Sequence, residues 1–498
     1  MSRAPLKRVA VVGAGISGVV TAGHLKKLNI DVTVYERSAV AGGLWVFDER
    51  KPLEPAYPAI SASRAESIYD SNEANLAGDI ALLQAPPGPC YFGLKNNVST
   101  RLLETTLSRF PVNTPDFVTH AVLGKYIQDT AAEIGVNALT RYNTEVKRIS
   151  KMDRKWVVET ARVDSVDFVP VETCVDRCQT FDAVVVASGH YHAPRVPDIS
   201  GLVQWKRQWA HRIQHSKSYR RPEDYGRGKN FLLIGGSVSS ADIARELGPL
   251  AKHIYQSQRN GAFDLPASIL PDNATRVDEV VSFDEQPTLA SASSAGLEDP
   301  DPIPATITLK SGRKLCDIHH VIICTGYHIT LPFLPDLHSD TTHPLQADST
   351  VLVTDGTQYH NLHKDIFYIP DPTLVFVGVP YFTATFTLFE FQAMVVALVV
   401  SGKARLPSEG AMRDEYTRRV EEKGFGKGFH SLRNKEVEYV DELLEWINAD
   451  LREGGLAPVS GHSSAWHEAK EEQLSRIQAL FASGDEPHAS RGIEVVCL

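Results

Sequence analysis

The chain has no CxxC pair, no dense run of lysine or arginine, and no apolar stretch long enough to cross a membrane. Its six cysteines stand at 90, 174, 178, 316, 324 and 497, too scattered for a disulfide framework or a dithiol redox centre, so reduced thiols are expected. Cys174 and Cys178 fall in an expected surface hairpin with no further Cys or His beside them, and no metal is expected there. A formal net charge of -10 with no basic patch gives no reason to expect nucleic acid. Arg220 and Arg221 read as solvated or nucleotide-facing. The longest apolar stretch, Met394 to Val400, is far short of the ~20 residues of a spanning helix and reads as a buried helix. The first strand begins near Arg8, which leaves no room for a leader and makes the cytoplasm the expected compartment. No Ser/His/Asp or paired-carboxylate constellation stands out either.

What the chain does have is two dinucleotide-binding fingerprints. Its 498 residues, 43% hydrophobic and 22% charged, suffice for two or three globular domains. The first fingerprint, Gly13-Ala14-Gly15-Ile16-Ser17-Gly18, follows the apolar strand Val9 to Val12. The second, Gly235-Gly236-Ser237-Val238-Ser239-Ser240, follows Phe231 to Ile234. In that context a glycine turn lets a pyrophosphate rest on a helix N-terminus. The residue expected to select the nucleotide differs between them. Val32 to Tyr35 runs into Glu36, a carboxylate placed to accept hydrogen bonds from a ribose diol. At the equivalent place after His253 to Ser257 Gln258 replaces the acid, with Arg259 directly after it, and a guanidinium suits a 2′-phosphate. FAD is therefore expected in the first unit and NADPH in the second. Ser237 and Ser240 occupy usual glycine positions, and Ser237 puts a side chain where backbone must approach the phosphates.

The expected fold is α/β, with two Rossmann-like dinucleotide-binding domains and the NADPH domain inserted in a discontinuous FAD domain. Residues 1–196 and 325–498 form the FAD-binding parts, the latter carrying a C-terminal helical region, and 197–324 the NADPH-binding domain. Phe181 to Gly189 and Val321 to Tyr327 read as glycine-ended strands that pair as exits between the domains. Leu374 to Gly378 reads as a further buried strand, Val437 to Leu451 and His467 to Phe481 as amphipathic helices, and Leu289 to Asp301 as a mobile surface insert.

Taken together, the chain resembles the flavin-containing monooxygenases. Gly42-Gly43-Leu44-Trp45 is similar to that family's GGxW turn, and Tyr91 to Asn97 to its Y-x-x-L-x-x-N segment. Thr325-Gly326-Tyr327 resembles its interdomain TGY, and Glu390-Phe391-Gln392 its E-x-Q segment. His215 to Tyr219 resembles the end of the FxGxxxHxxx(Y/F) signature, with Trp209 and His211 in place of its Phe and Gly. The resemblance implies an NADPH- and O2-dependent enzyme that forms a flavin C4a-hydroperoxide and oxygenates a soft nucleophile of a small molecule: an amine nitrogen, hydroxylamine, indole or sulfur. A role in specialised metabolism is one reading of the altered signature. Asn97 is the implied catalytic residue, with Asn96 the weaker choice. Gly13, Gly15, Ser17, Gly18, Glu36, Gly43, Leu44, Trp45 and Gln392 are the candidate flavin-site residues. For the nicotinamide nucleotide the candidates are His215, Tyr219, Gly235, Ser237, Ser239, Ser257, Arg259, Thr325 and Gly326. The expected partners are substrate and O2, with a homodimer left open. A Baeyer–Villiger oxygenase and a nonenzymatic nucleotide-binding protein are the competing readings, while the lack of CxxC disfavours a disulfide reductase.

Overall fold

A computed structural model describes residues 6–63, 82–162, 164–166, 169–171, 178–284 and 301–482. The strand Arg8–Val12 lies inside a seven-stranded sheet whose middle strand is Ala183–Val186, and it is flanked in parallel by that strand and by Asp31–Tyr35. Thr140–Arg141 lies beyond Asp31–Tyr35, and Leu374–Phe376 runs parallel to Ala183–Val186. Two short antiparallel strands, Leu362–His363 and Phe367–Tyr368, finish that edge, so the sheet is mixed. Val9 to Val12 and Ala183 to Val186 are uninterrupted Val and Ala because both faces are covered. Val9 and Val11 pack into a helical layer with Val19 and Leu25 of the helix Ile16–Lys27. Ala10 and Val12 pack into the opposite layer with Ile149, Trp156 and Phe181.

The stretch 181–189, which the sequence presents as one strand, is split. Phe181 ends the strand Gln179–Phe181 of a three-stranded antiparallel sheet, whereas Ala183–Val186 belongs to the seven-stranded one. Asp182 makes the break, because its Oδ2 accepts from the backbone N–H groups of Lys7 and Arg8, both at 2.9 Å.

The second sheet has five parallel strands in the order Ile213–His215, His320–Ile323, Asn230–Ile234, His253–Ser257, Ala274–Val277. Ala193–Pro194 and Tyr327–His328 pair antiparallel where the chain passes from one sheet to the other and back.

The stretch read as a buried helix is the end of Thr385–Val400, which is apolar on all sides and joins the core beside Ile16–Lys27. The helices Glu409–Lys423, Glu436–Glu453 and Ser464–Ala482 follow. Val440, Leu443, Ile447 and Trp466 bury an apolar stripe against that core and leave the charged faces outward. Among the described residues, no helix is long and apolar enough to cross a membrane and no His, Cys, Asp and Glu cluster could hold a metal ion. Cys90, Cys178, Cys316 and Cys324 are free thiols, while Cys174, Cys497 and all of the 289–301 insert except Asp301 lie outside the described residues.

Candidate functional site

Both fingerprint turns open onto one cavity of about 1840 Å³ at the carboxyl ends of the parallel strands. Gly13 holds φ +105°, and a Cβ there would lie 2.6 Å from the carbonyl oxygen of Ala187. Gly15 caps the helix Ile16–Lys27 with its backbone alone, and Gly43 stands so close that its own Cβ would meet Gly15 Cα at 3.0 Å. Backbone N–H groups at this helix start are thus left open to the cavity for an anion. Glu36, 7% exposed, is fixed by accepting from Ala14 N at 2.7 Å and Ser38 N at 2.8 Å. Each carboxylate oxygen keeps a lone pair for a further donor.

The second turn repeats the device. Gly235 has φ +132°, and a Cβ there would lie 2.4 Å from Cys324 O. Ser240, in place of the third glycine, donates to Ser237 O and accepts from Gln256 Nε2, both at 2.9 Å, so its hydroxyl is absorbed into the packing. Ser237 makes no side-chain cap bond and lines the cavity with Ser239 and Ser257. Arg259 also lines it, 76% exposed at the side chain and 3.8 Å from Glu279.

A profile described as flavin-binding monooxygenase-like matches residues 90–282 and 304–452, and one for an NAD(P)-binding Rossmann-like domain matches 11–59. The chain belongs to the flavin-binding monooxygenase-like family. Flavin-containing monooxygenase ustF2 of Aspergillus flavus is 47% identical, the match covering 96% of this chain and 99% of that one. Flavin-containing monooxygenase iboF of Amanita muscaria is 30% identical, covering 89% and 88%. The solved structure of S-allyl-L-cysteine S-oxygenase from Allium sativum shares the fold, with a TM-score of 0.68 at 24% identity over 97% of this chain and 96% of that one. This monooxygenase is a flavoprotein that uses FAD and NADPH.

The site residues expected from the sequence divide into those that reach the cavity and those that stand behind it. Gly13, Gly15, Ser17, Glu36, Gly43, Leu44, Trp45, Asn97, Gly235, Ser237, Ser239, Ser257, Arg259, Thr325 and Gly326 line the monooxygenase's cavity. Asn96 does not, since its amide is committed to Val98 O, Asp116 O and Val118 N at 2.6 to 2.7 Å. Gly18, His215, Tyr219 and Gln392 also fail to reach it, each for a visible reason. A Cβ on Gly18 would sit 1.9 Å from Gly13 O, so Gly18 serves helix packing within the turn. His215 is fully buried, accepts from Lys217 N at 3.1 Å and donates to Gly326 O at 3.1 Å. Burial pushes its pKa down to about 3, so it is a neutral prop beneath the Thr325-Gly326-Tyr327 exit. Tyr219 is fully buried too, packed edge-on to Tyr91 and donating to Glu246 at 2.8 Å. Gln392 accepts from Gly378 N at 3.0 Å and donates to Tyr439 at 2.8 Å. A Cβ on Gly378 would lie 2.5 Å from Ser17 Oγ, so Gln392 fixes backbone that leans on the first turn.

Arg220 overturns its solvated or nucleotide-facing reading. It is 2% exposed, and its guanidinium donates to the carbonyls of Arg50, Lys217 and Tyr219 at 2.8 to 3.0 Å. Arg221 lies over the Phe92 ring at 3.8 Å and pairs with Glu49.

Several cavity residues escaped sequence reasoning. Arg195 and Lys427 join Arg259 at one pole; burial, then the charges of Arg195 and Arg259, push Lys427 down to about 8. Arg195 Nη2 donates to Asp355 O at 3.2 Å, and its buried Nε has no acceptor. Phe263, Tyr381, Phe382 and Arg433 form another wall. The glycine-spaced Gly424-Phe425-Gly426-Lys427-Gly428 and the aromatic pair directly after Gly378-Val379-Pro380 were the available signals.

Proposed function

We propose that this monooxygenase uses NADPH and O2 to place one oxygen atom on a soft nucleophile of a small molecule, an amine nitrogen, hydroxylamine, indole carbon or sulfur. The observation that carries the reading is a single cavity shared by the Gly13 turn, the Gly235 turn and Asn97, which lets two nucleotides and a substrate meet. Bound FAD would supply the redox and oxygen-activating chemistry.

The chain's own residues bind, orient and control protons. The N–H groups after Gly13 and Gly235 hold pyrophosphates, Glu36 accepts from the flavin-side ribose, and Arg259 takes the 2′-phosphate. The domain division at 196 and 324 belongs to this reading. Asn97 orients the reacting groups by hydrogen bonding without titrating. His190, on the cavity wall, is pushed down to about 4 by burial and by the neighbouring His192 and His430, so it brings no imidazolium to the site at neutral pH. Substrate needs positioning more than acid or base assistance, which accords with the absence of a carboxylate pair in the sequence.

The test is to supply FAD-loaded protein with NADPH, labelled oxygen gas and, separately, a thioether, a tertiary amine and a cyclic ketone. A product of the thioether or amine carrying one labelled oxygen supports the reading. An ester from the ketone alone assigns the Baeyer–Villiger reaction instead, and NADPH oxidised to NADP+ with O2 reduced only to hydrogen peroxide in all three cases contradicts oxygen transfer.

A further inference from the structure

Arg433 is a cavity-lining cation with no acidic partner among the described residues. Its guanidinium carbon lies 4.5 Å from the Phe382 ring centre and 5.8 Å from that of Phe263, and those two rings stack on each other. Its buried Nε has no hydrogen-bond acceptor. A guanidinium held by ring faces instead of by a carboxylate keeps its donors uncommitted. The nearby carboxylate of Glu436 does not neutralise it, being occupied by Lys470 at 2.6 Å and Ala384 N at 2.8 Å.

The backbone around Arg433 is built to hold this arrangement. Phe382 has φ +59° and Asn434 φ +62°, and for a bulky residue such as Phe the left-handed region is unfavourable. The strained turn is pinned to the 430–436 segment by Tyr381 N to His430 O at 3.3 Å, Leu432 N to Tyr381 O at 3.0 Å and Ala384 N to Glu436. Backbone strain that the surroundings enforce is characteristic of ligand clamps.

We propose that Arg433, framed by Phe263, Tyr381 and Phe382, binds a carboxylate of the substrate, so that the molecule oxygenated is an organic acid with an apolar body. A carboxylate matches the planar fork of a guanidinium, and an apolar substrate body fits the rings around it. The phosphates have their own pole, where Arg195, Arg259 and Lys427 act on one another. The proposal rests on the oxygenation reading for what happens to that acid, but the site itself is tested by binding.

Phenylacetate and phenylacetamide carry the same ring, and only the first carries the charge. Each is titrated by calorimetry into FAD-loaded protein saturated with NADP+. The wild type is expected to bind the acid about tenfold or more tighter than the amide, as a charged hydrogen-bond pair requires. Arg433→Gln removes that preference, and Arg433→Lys, which keeps charge without the fork, retains part of it. Retention of FAD by each variant shows that it has folded. Equal affinity for acid and amide in the wild type, no saturable binding of either, or an unchanged preference in Arg433→Gln overturns the proposal. A loss of NADP+ affinity in Arg433→Gln as large as the loss of phenylacetate also overturns it, since the anion held would then be a dinucleotide phosphate. Binding through Arg433 by a protein that oxygenates no amine or sulfide would defeat the proposed reaction and leave the site standing.

Discussion

Glu36 directly follows the second strand of the first unit, Gln258 holds the equivalent place in the second with Arg259 directly after it, and in the proposed reading the opposite charges of Glu36 and Arg259 sort the nucleotides. Arg259→Ala removes charge-assisted hydrogen bonds worth about 1.5 to 3 kcal/mol, so KM for NADPH is expected to rise about tenfold or more while KM for NADH stays constant. A parallel rise for both nucleotides would show that Arg259 does not read the 2′-phosphate. Glu279, 3.8 Å from Arg259, competes for it, and Glu279→Gln is expected to lower KM for NADPH. Asn97→Asp keeps FAD but puts a titrating group into the cavity, and release of hydrogen peroxide per NADPH is expected to rise; unchanged coupling removes Asn97 from the mechanism. The positions of Glu36 and Arg259 were legible because fingerprint spacing is local, within some twenty positions of chain, whereas Asn97 came only from the family resemblance and Glu279 was not legible. Arg195, Lys427 and Arg433 were not, because they reach the cavity from the crossover and the C-terminal third through tertiary folding that no short spacing encodes. Tyr219 and Gln392 show the opposite error, in which a motif residue serves the site from behind it.

At the level of elements, strand-turn-helix order was the most legible part of the fold, since apolar runs ending in glycine mark strands covered on both faces. The break at Asp182 was not legible: it depends on backbone donors of Lys7 and Arg8, more than 170 positions away. Nor was the buried charge network that ties Glu409–Lys423 to the sheet edge. Asp365, 1% exposed, accepts from His430 at 2.8 Å and Arg419 at 2.5 Å, and Glu415 meets His363 at 3.0 Å. Burial alone would raise the Asp365 pKa, but Arg419 and His430 hold it well below the usual carboxylate range. Asp365→Asn takes from buried Arg419 its nearer counter-charge and leaves only Glu415 at 3.7 Å, and a loss of about 3 kcal/mol is expected in urea unfolding. A loss no larger than that of a surface substitution would mean that water already reaches the network. Gly18→Ala forces a side chain into the Gly13 carbonyl, and the purified variant is expected to lack bound flavin.

Over the whole molecule, histidines buried in neutral form set how stability depends on pH. Burial pushes His215 down to about 3, and burial with the His430 charge pushes His360 down to about 4, whereas an unfolded histidine titrates near ~6.5. Below that value the unfolded chain takes up protons that the folded one refuses. The stability is therefore complete above ~6.5 and is lost as pH falls toward the folded values, at up to ~1.4 kcal/mol per pH unit for each histidine. Scanning calorimetry is expected to give a Tm that falls steadily from pH 7 to pH 5, and a flat Tm would show that these rings are protonated in place. The central claim concerns the whole chain as well: two nucleotides share one cavity, and the second is NADPH. Its most direct test is anaerobic stopped-flow mixing of the FAD-loaded protein with NADPH or NADH, following loss of the oxidised flavin absorbance. The account predicts bleaching by NADPH at a half-saturating concentration about tenfold or more below that for NADH. Equal dependence on the two nucleotides, or no bleaching by either, would contradict it.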